Sequence, residues 1–137
     1  MGFEKFGKEG YVSQTKITPM LSYLKKNQLP ATVCQKCKRT WFPPRADCPN
    51  CKSNITEWTT IDGTCRLVTF TEVHFAPPQF QSDTPYFLGV AELKGGFRVF
   101  APISGKISRD MLKPGRQMVL RPTTPTVDHT YYLLEEL

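Results

Sequence analysis

Cys34-Gln35-Lys36-Cys37 is followed, ten residues later, by Cys48-Pro49-Asn50-Cys51, and the rest of the 137-residue chain is read outward from these two hairpins. Two Cys-x-x-Cys turns this close together bring four thiolates to the corners of a tetrahedron around one metal ion. The spacing predicts a structural zinc ribbon with Cys34, Cys37, Cys48 and Cys51 as ligands. Four sulfur donors leave no coordination position for water or substrate, so the site stabilises the fold without doing chemistry. Iron in the same sulfur cage is the alternative metal. A redox Cys-x-x-Cys normally sits alone beside a βαβ unit, and no such pattern surrounds this pair.

Between the hairpins runs Arg39-Thr40-Trp41-Phe42-Pro43-Pro44-Arg45, two aromatics followed by a stiff Pro-Pro turn. With Lys36, Lys38, Arg39, Arg45 and Lys52 this is the most basic part of the chain. It reads either as a solvated face or as an anion or partner site, with Arg45 as the donor held in place by the prolines. Upstream, Ile17, Met20, Leu21 and Leu24 fall at i, i+3, i+4 and i+7. They predict one short helix, capped by the Thr18 hydroxyl, with Pro19 in its first turn and an end near Asn27. Residues 1–16 carry aromatics among charges without a countable period and read as an arm.

Beyond Trp58 the pattern becomes β. A long run from Cys65 to Phe75 precedes a proline-rich loop over 76–85. Tyr86 to Leu93, a Lys94-Gly95-Gly96 turn, and Phe97 to Ile103 follow as a hairpin. Ile107 to Leu112 reads as a helical turn, and Gln117 to Arg121 and Thr130 to Leu134 as the last strands. Five short strands with an irregular segment between the third and fourth predict a small Greek-key barrel of the OB type. The fold class is therefore mainly β: an N-terminal arm and helix (1–30), a rubredoxin-like zinc ribbon (31–58) and a C-terminal OB-fold barrel (59–137).

The chain holds 12 Pro and 9 Gly and carries a formal charge of +6. A basic balance suits nucleic acid, a phosphorylated small ligand or an acidic protein equally. No apolar run is long enough to span a bilayer, the first residues lack the apolar core of a signal peptide, and reduced cysteines reserved for a metal imply the cytoplasm. Cys65, left over once four cysteines bind metal, reads as a small buried hydrophobe. His74 and His129 have no Ser or Cys nucleophile at a pairing distance in sequence, and there is no phosphate-binding glycine loop. His74 reads as a structural histidine ahead of a ligand contact.

Two function classes follow. A zinc ribbon before an OB barrel fits single-stranded nucleic-acid binding, which needs cations interleaved with aromatics. The 9 Phe and 5 Tyr meet that need, but Arg66, Arg98, Arg116 and Arg121 are spread thinly along the barrel. The second class comes from resemblance. The short helix, the two Cys-x-x-Cys turns, Pro43-Pro44-Arg45, Trp58, Gly63-Thr64, Phe70-Thr71, Pro85-Tyr86 and Pro102-Ile103-Ser104-Gly105 together resemble the zinc-ribbon/OB-fold acyl-CoA-associated family over about residues 17–121. Lys38 departs from it, standing where the family usually has glycine, and so does Cys65.

The resemblance implies a non-catalytic accessory subunit bound to a thiolase-fold catalytic partner, helping to form or gate the channel for acyl-CoA. It points more narrowly to the small subunit of an aromatic acyl-CoA thiolase, such as one cleaving a benzoylsuccinyl-type thioester. Coenzyme A or acyl-CoA is then a possible ligand beside structural Zn²⁺, with Arg45, Phe75, Phe80, Tyr86 and Phe87 as the residues that would meet it or the partner. The loop 76–85 is the natural lid, and nucleic acid becomes an unlikely partner.

Overall fold

A computed structural model describes residues 15–126 and 129–137. The expected arm lies almost wholly outside the described residues.

Helix α1 spans Met20–Lys25 and buries Met20, Leu21 and Leu24, three of the four stripe residues, while Ile17 packs against the same cluster. Its start differs from expectation. Pro19 occupies the N-cap, and the Thr18 hydroxyl accepts instead from the Thr15 N–H at 2.9 Å, because a turn ahead of the helix competes for it. The end is a Schellman motif. Asn27 takes φ 61°, its N–H donates to the Leu24 carbonyl, and the Gln28 N–H donates to the Tyr23 carbonyl.

The ribbon is a three-stranded antiparallel sheet in the order β2-β1-β3, built from β1 (Leu29–Val33), β2 (Thr40–Trp41) and β3 (Glu57–Ile61). After Asp62 and Gly63 the chain enters the barrel: β4 (Thr64–Val73), β5 (Tyr86–Leu93), β6 (Arg98–Pro102), β7 (Gln117–Thr126) and β8 (His129–Glu136), in the order β6-β5-β4-β7-β8. Ile103 bridges Leu134 in parallel, and the Ser104 N–H donates to the Leu134 carbonyl, so the two edges meet and the barrel nearly closes. Gly63 is required at the junction. A Cβ there would stand 2.2 Å from the Leu120 carbonyl oxygen.

All five expected barrel strands are present, with β7 and β8 longer than expected. Pro122 and Pro125 lie inside β7, which pairs with β4 only from Gln117 to Val119 and leaves the prolines beyond that contact. The 76–85 stretch is not a plain extended loop. It contains helix α2 (Pro78–Gln81), started by a proline in its first turn. The Ile107 to Leu112 turn is a 3₁₀ turn at Arg109–Met111.

Leu67, Ala91, Leu93, Val99, Met118, Leu120 and Leu134 form the barrel interior. The ribbon shares it. Leu29, Ala31 and Phe42 belong to the same buried cluster, and the Phe42 ring meets Phe97 and Tyr132 at centroid distances of 6.4 and 6.0 Å.

Candidate functional site

The two cysteine turns are built alike. In the first, the Lys38 N–H donates to the Cys34 carbonyl at 2.8 Å and the Cys37 N–H points at Cys34 Sγ at 3.5 Å. In the second, the Lys52 N–H donates to the Cys48 carbonyl at 2.8 Å and the Cys51 N–H reaches Cys48 Sγ at 3.4 Å. The residue after each turn is left-handed: φ is 65° at Lys38 and 63° at Lys52. Glycine suits that conformation best, which gives the Lys38 departure a physical meaning.

Each turn thus aims two thiols at a common centre. All four Sγ atoms lie within 4.8 Å of one another, and Cys37 Sγ and Cys48 Sγ are 3.6 Å apart. A tetrahedral Zn–S bond of about 2.3 Å requires S···S edges of about 3.8 Å, so the cage fits the ion. Cys34 and Cys48 are buried, and Ile55 and Trp41 pack against them. The Ser53 hydroxyl at 3.3 Å from Cys34 Sγ, then the Cys37 N–H, bring the Cys34 thiol down to about 6. Cys37 is lowered too, chiefly by the backbone at Arg39. Cys51 is pushed up to about 12, first by its hydrogen bond with Cys37 and then by burial. Neighbouring thiolates resist a further negative charge, and a divalent cation removes that cost.

The Pro-Pro-Arg turn is held from β1. Buried Thr32 accepts from the Arg45 N–H at 2.8 Å and donates to the Arg45 carbonyl at 3.0 Å. The exposed Arg45 guanidinium lies 5.7 Å from the centre of the Trp41 ring. Thr32 and Ser53 are functional supports the sequence reading missed, since hydroxyls 13 and 19 residues from their partners leave no local signal.

The five residues proposed for coenzyme A or a partner do not line one slot. Arg45 is on the ribbon. Tyr86 and Phe87 are consecutive on β5 and so face opposite sides of the sheet. Phe87 turns inward and packs edge-on against Phe70 at 6.2 Å. Phe75 is 93% exposed, and Phe80 is half-buried in α2. Two shallow clefts, of about 230 and 350 Å³, are lined by Leu29, Gly63 and Leu120 and by Thr64, Glu92 and Lys94 among others, and contain none of the five.

His74 is exposed, with Nε2 2.6 Å from Glu72 Oε1; Arg109 reaches the other oxygen of Glu72 at 3.9 Å. Cys65 is 3% exposed, and burial pushes its thiol up to about 11, as a small inert core residue requires. Each of the five arginines of the barrel has an acidic neighbour: Arg66 and Arg98 share Glu92, Arg109 meets Glu72, Arg116 meets Glu136 and Arg121 meets Glu135. No helix among the described residues is long and apolar enough to cross a membrane.

Two family descriptions match the chain: the rubredoxin-like zinc ribbon domain of ChsH2 over residues 22–56 and its C-terminal OB-fold domain over residues 58–120. A DUF35 domain-containing scaffold protein of Methanocaldococcus jannaschii is 35% identical over 71 residues, covering 51% of this chain and 50% of that protein. A scaffold protein of the same description from Methanothermobacter thermautotrophicus is 28% identical over 76 residues, covering 55% and 57%. The chain spans about half the length of the curated relatives it matches. Among solved structures, a chain of the Ltp2-ChsH2(DUF35) aldolase superposes with a TM-score of 0.68 at 27% identity, over 85% of this chain and 91% of that one. A protein of unknown function from the DUF35 family of Sulfolobus solfataricus gives 0.56 at 16% identity over 86% and 82%, a likeness of fold alone.

Proposed function

Because the chain belongs to the family built from the ChsH2 zinc ribbon and OB-fold domains, we propose that it is a non-catalytic accessory subunit of a thiolase-type acyl-CoA enzyme, helping to form or gate the acyl-CoA channel. The observation that carries this reading is the likeness, over nearly the full length of both chains, to part of the Ltp2-ChsH2(DUF35) aldolase, whose name joins a ChsH2 chain to a second component. The scaffold description of the archaeal relatives supports it. Zn²⁺ held by Cys34, Cys37, Cys48 and Cys51 is structural in this reading, because a closed set of four sulfurs supplies cross-linking and no reactive water. The catalytic cysteine and histidines then belong to the partner. Arg45, stacked on Trp41, faces the phosphates of coenzyme A or an acidic strip on that partner.

The narrower reading, an aromatic acyl-CoA thiolase of the benzoylsuccinyl type, concerns the same surfaces. The name of the solved relative favours a second reading, in which the partner is an aldolase. Both enzymes break a carbon–carbon bond, and they differ in whether a free thiol accepts the acyl group. Single-stranded nucleic acid fits less well, since the acid-paired arginines of the barrel offer little unneutralised charge to a phosphate backbone.

A tagged chain expressed in its native cell, purified at moderate salt with and without nuclease, tests these readings. We expect a stoichiometric thiolase-fold protein, identified by mass spectrometry, and cleavage of a 3-oxoacyl-CoA by the complex that depends on added coenzyme A. Cleavage of a 3-hydroxyacyl-CoA to a free aldehyde or ketone and a shorter acyl-CoA, with no coenzyme A added, assigns the aldolase reading. Recovery of nucleic acid that disappears with nuclease or added salt would overturn both.

A further inference from the structure

β5 sorts its residues by face. Gly89, Ala91 and Leu93 turn into the barrel, and Tyr86, Leu88 and Val90 turn out. The register sets Val73 beside Tyr86 and Phe100 beside Val90, and residues directly opposite share a face. An antiparallel sheet with one buried face usually turns polar residues to solvent on the other. Here the outward side of β5 and β6 carries an apolar ladder, with Phe100 64% exposed, bordered on β4 by exposed Thr69 and Thr71 and then Val73, and charged at the end where Arg66 and Arg98 flank Glu92.

Phe75 follows two residues after Val73 and is 93% exposed, yet the backbone that carries it is tied down. Gln81 Oε1 accepts from the Ala76 N–H at 2.8 Å, and Gln81 Nε2 donates to the His74 carbonyl at 3.5 Å and to Thr84 Oγ1 at 3.3 Å. One amide side chain, presented by α2, therefore pins the peptide groups on both sides of Phe75. A large aromatic ring held away from its own core is the kind of side chain that anchors an interface, and fixing its backbone beforehand lowers the ordering cost of docking.

We infer that Phe75, held by Gln81, and the outward apolar ladder of β5 and β6 form the docking surface for the catalytic subunit, with the Phe75 ring entering an apolar pocket on it. The inference rests on the accessory-subunit reading above. A second copy of this chain is the poorer occupant. Each copy carries +6, and a twofold contact sets the same patch against itself, bringing exposed Arg66 and Arg98, two cations on the single carboxylate of Glu92, up against their own copies. The fitting partner surface is apolar at its centre and acidic at its rim, on a different chain.

The test uses the catalytic subunit recovered with the wild-type chain as the binding probe, in calorimetric titrations against the zinc-loaded full chain. Phe75→Ala is expected to weaken binding about thirtyfold while its melting temperature stays at the wild-type value, because the ring contributes nothing to the core. Gln81→Ala keeps the ring and frees its backbone, and is expected to weaken binding roughly two- to tenfold. Wild-type affinity in Phe75→Ala overturns the docking surface and leaves the accessory-subunit reading standing. A wild-type chain that binds no enzyme subunit overturns both. Self-association of the wild-type chain in sedimentation equilibrium, abolished by Phe75→Ala, overturns the choice of partner.

Discussion

Lys38 and Lys52 hold the left-handed corner that closes each cysteine turn, at a conformational cost of about 1–2 kcal/mol for a residue with a Cβ. Lys38→Gly removes that cost but gives the unfolded chain more freedom, worth about 0.4–1 kcal/mol. A net gain of about 0.5–1 kcal/mol is expected in urea unfolding, with zinc stoichiometry unchanged. At the other end of the ribbon, Asp62 Oδ1 accepts from both the N–H and the hydroxyl of Thr64 at 2.9 Å, and these bonds hold its carboxyl below the usual range. A carboxylate depressed by folding adds stability above its unfolded pKa, about 4, and loses it as pH falls through the folded value. Asp62→Ala is therefore expected to melt below wild type at pH 7, with the gap narrowing as pH drops below about 4 in a series of thermal melts. An equal gap at every pH would show that the charge of Asp62 is not the cause.

Among the elements, those fixed by local pattern were legible. The α1 stripe, the Gly95-Gly96 turn with φ of 101° and 89°, and the alternation in β5 all depend on neighbours within a few residues. Helix α2 was not, because prolines at 77 and 78 suit an extended path as readily as a first helical turn, and Gln81 decides between them through its contacts. The union of ribbon and barrel was equally hidden. Phe42, flanked in sequence by Trp41 and a Pro-Pro turn, enters the barrel core at 7% exposure while Trp41 stays with the cysteines. Phe42→Ala is expected to cost about 3 kcal/mol in chemical unfolding without loss of zinc, since it opens a cavity beside Phe97 and Tyr132 and leaves the ligands in place.

At the scale of the molecule, one shared core makes metal and barrel interdependent. Leu29 and Ala31 on β1 pack in the cluster that holds Leu67 and Leu134, so releasing the metal loosens a strand the barrel leans on. Stripping zinc with a chelator is expected to lower the melting temperature of the barrel strands followed by far-ultraviolet circular dichroism, and adding zinc back to restore it. A barrel transition indifferent to chelation would make the ribbon an independent unit.

The metal cage was written in the sequence because its information is local. A Cys-x-x-Cys turn sets its own two sulfurs, and only the meeting of two turns is long-range. The faces of the aromatics were not written there. In β4 the register shifts between Leu67 and Thr69: Cys65 and Leu67 face inward before the shift, and Phe70 and Glu72, opposite Gly89 and Phe87, after it. An irregularity of one residue reverses the parity of everything downstream, which sends Val73 to the outer face and leaves Phe70 and Phe87 in the core. No period in the chain marks that slip. It is fixed where β4 leaves its pairing with β7 and continues alone with β5, so tertiary structure alone decided which rings pack inside and which, like Phe75, stay exposed.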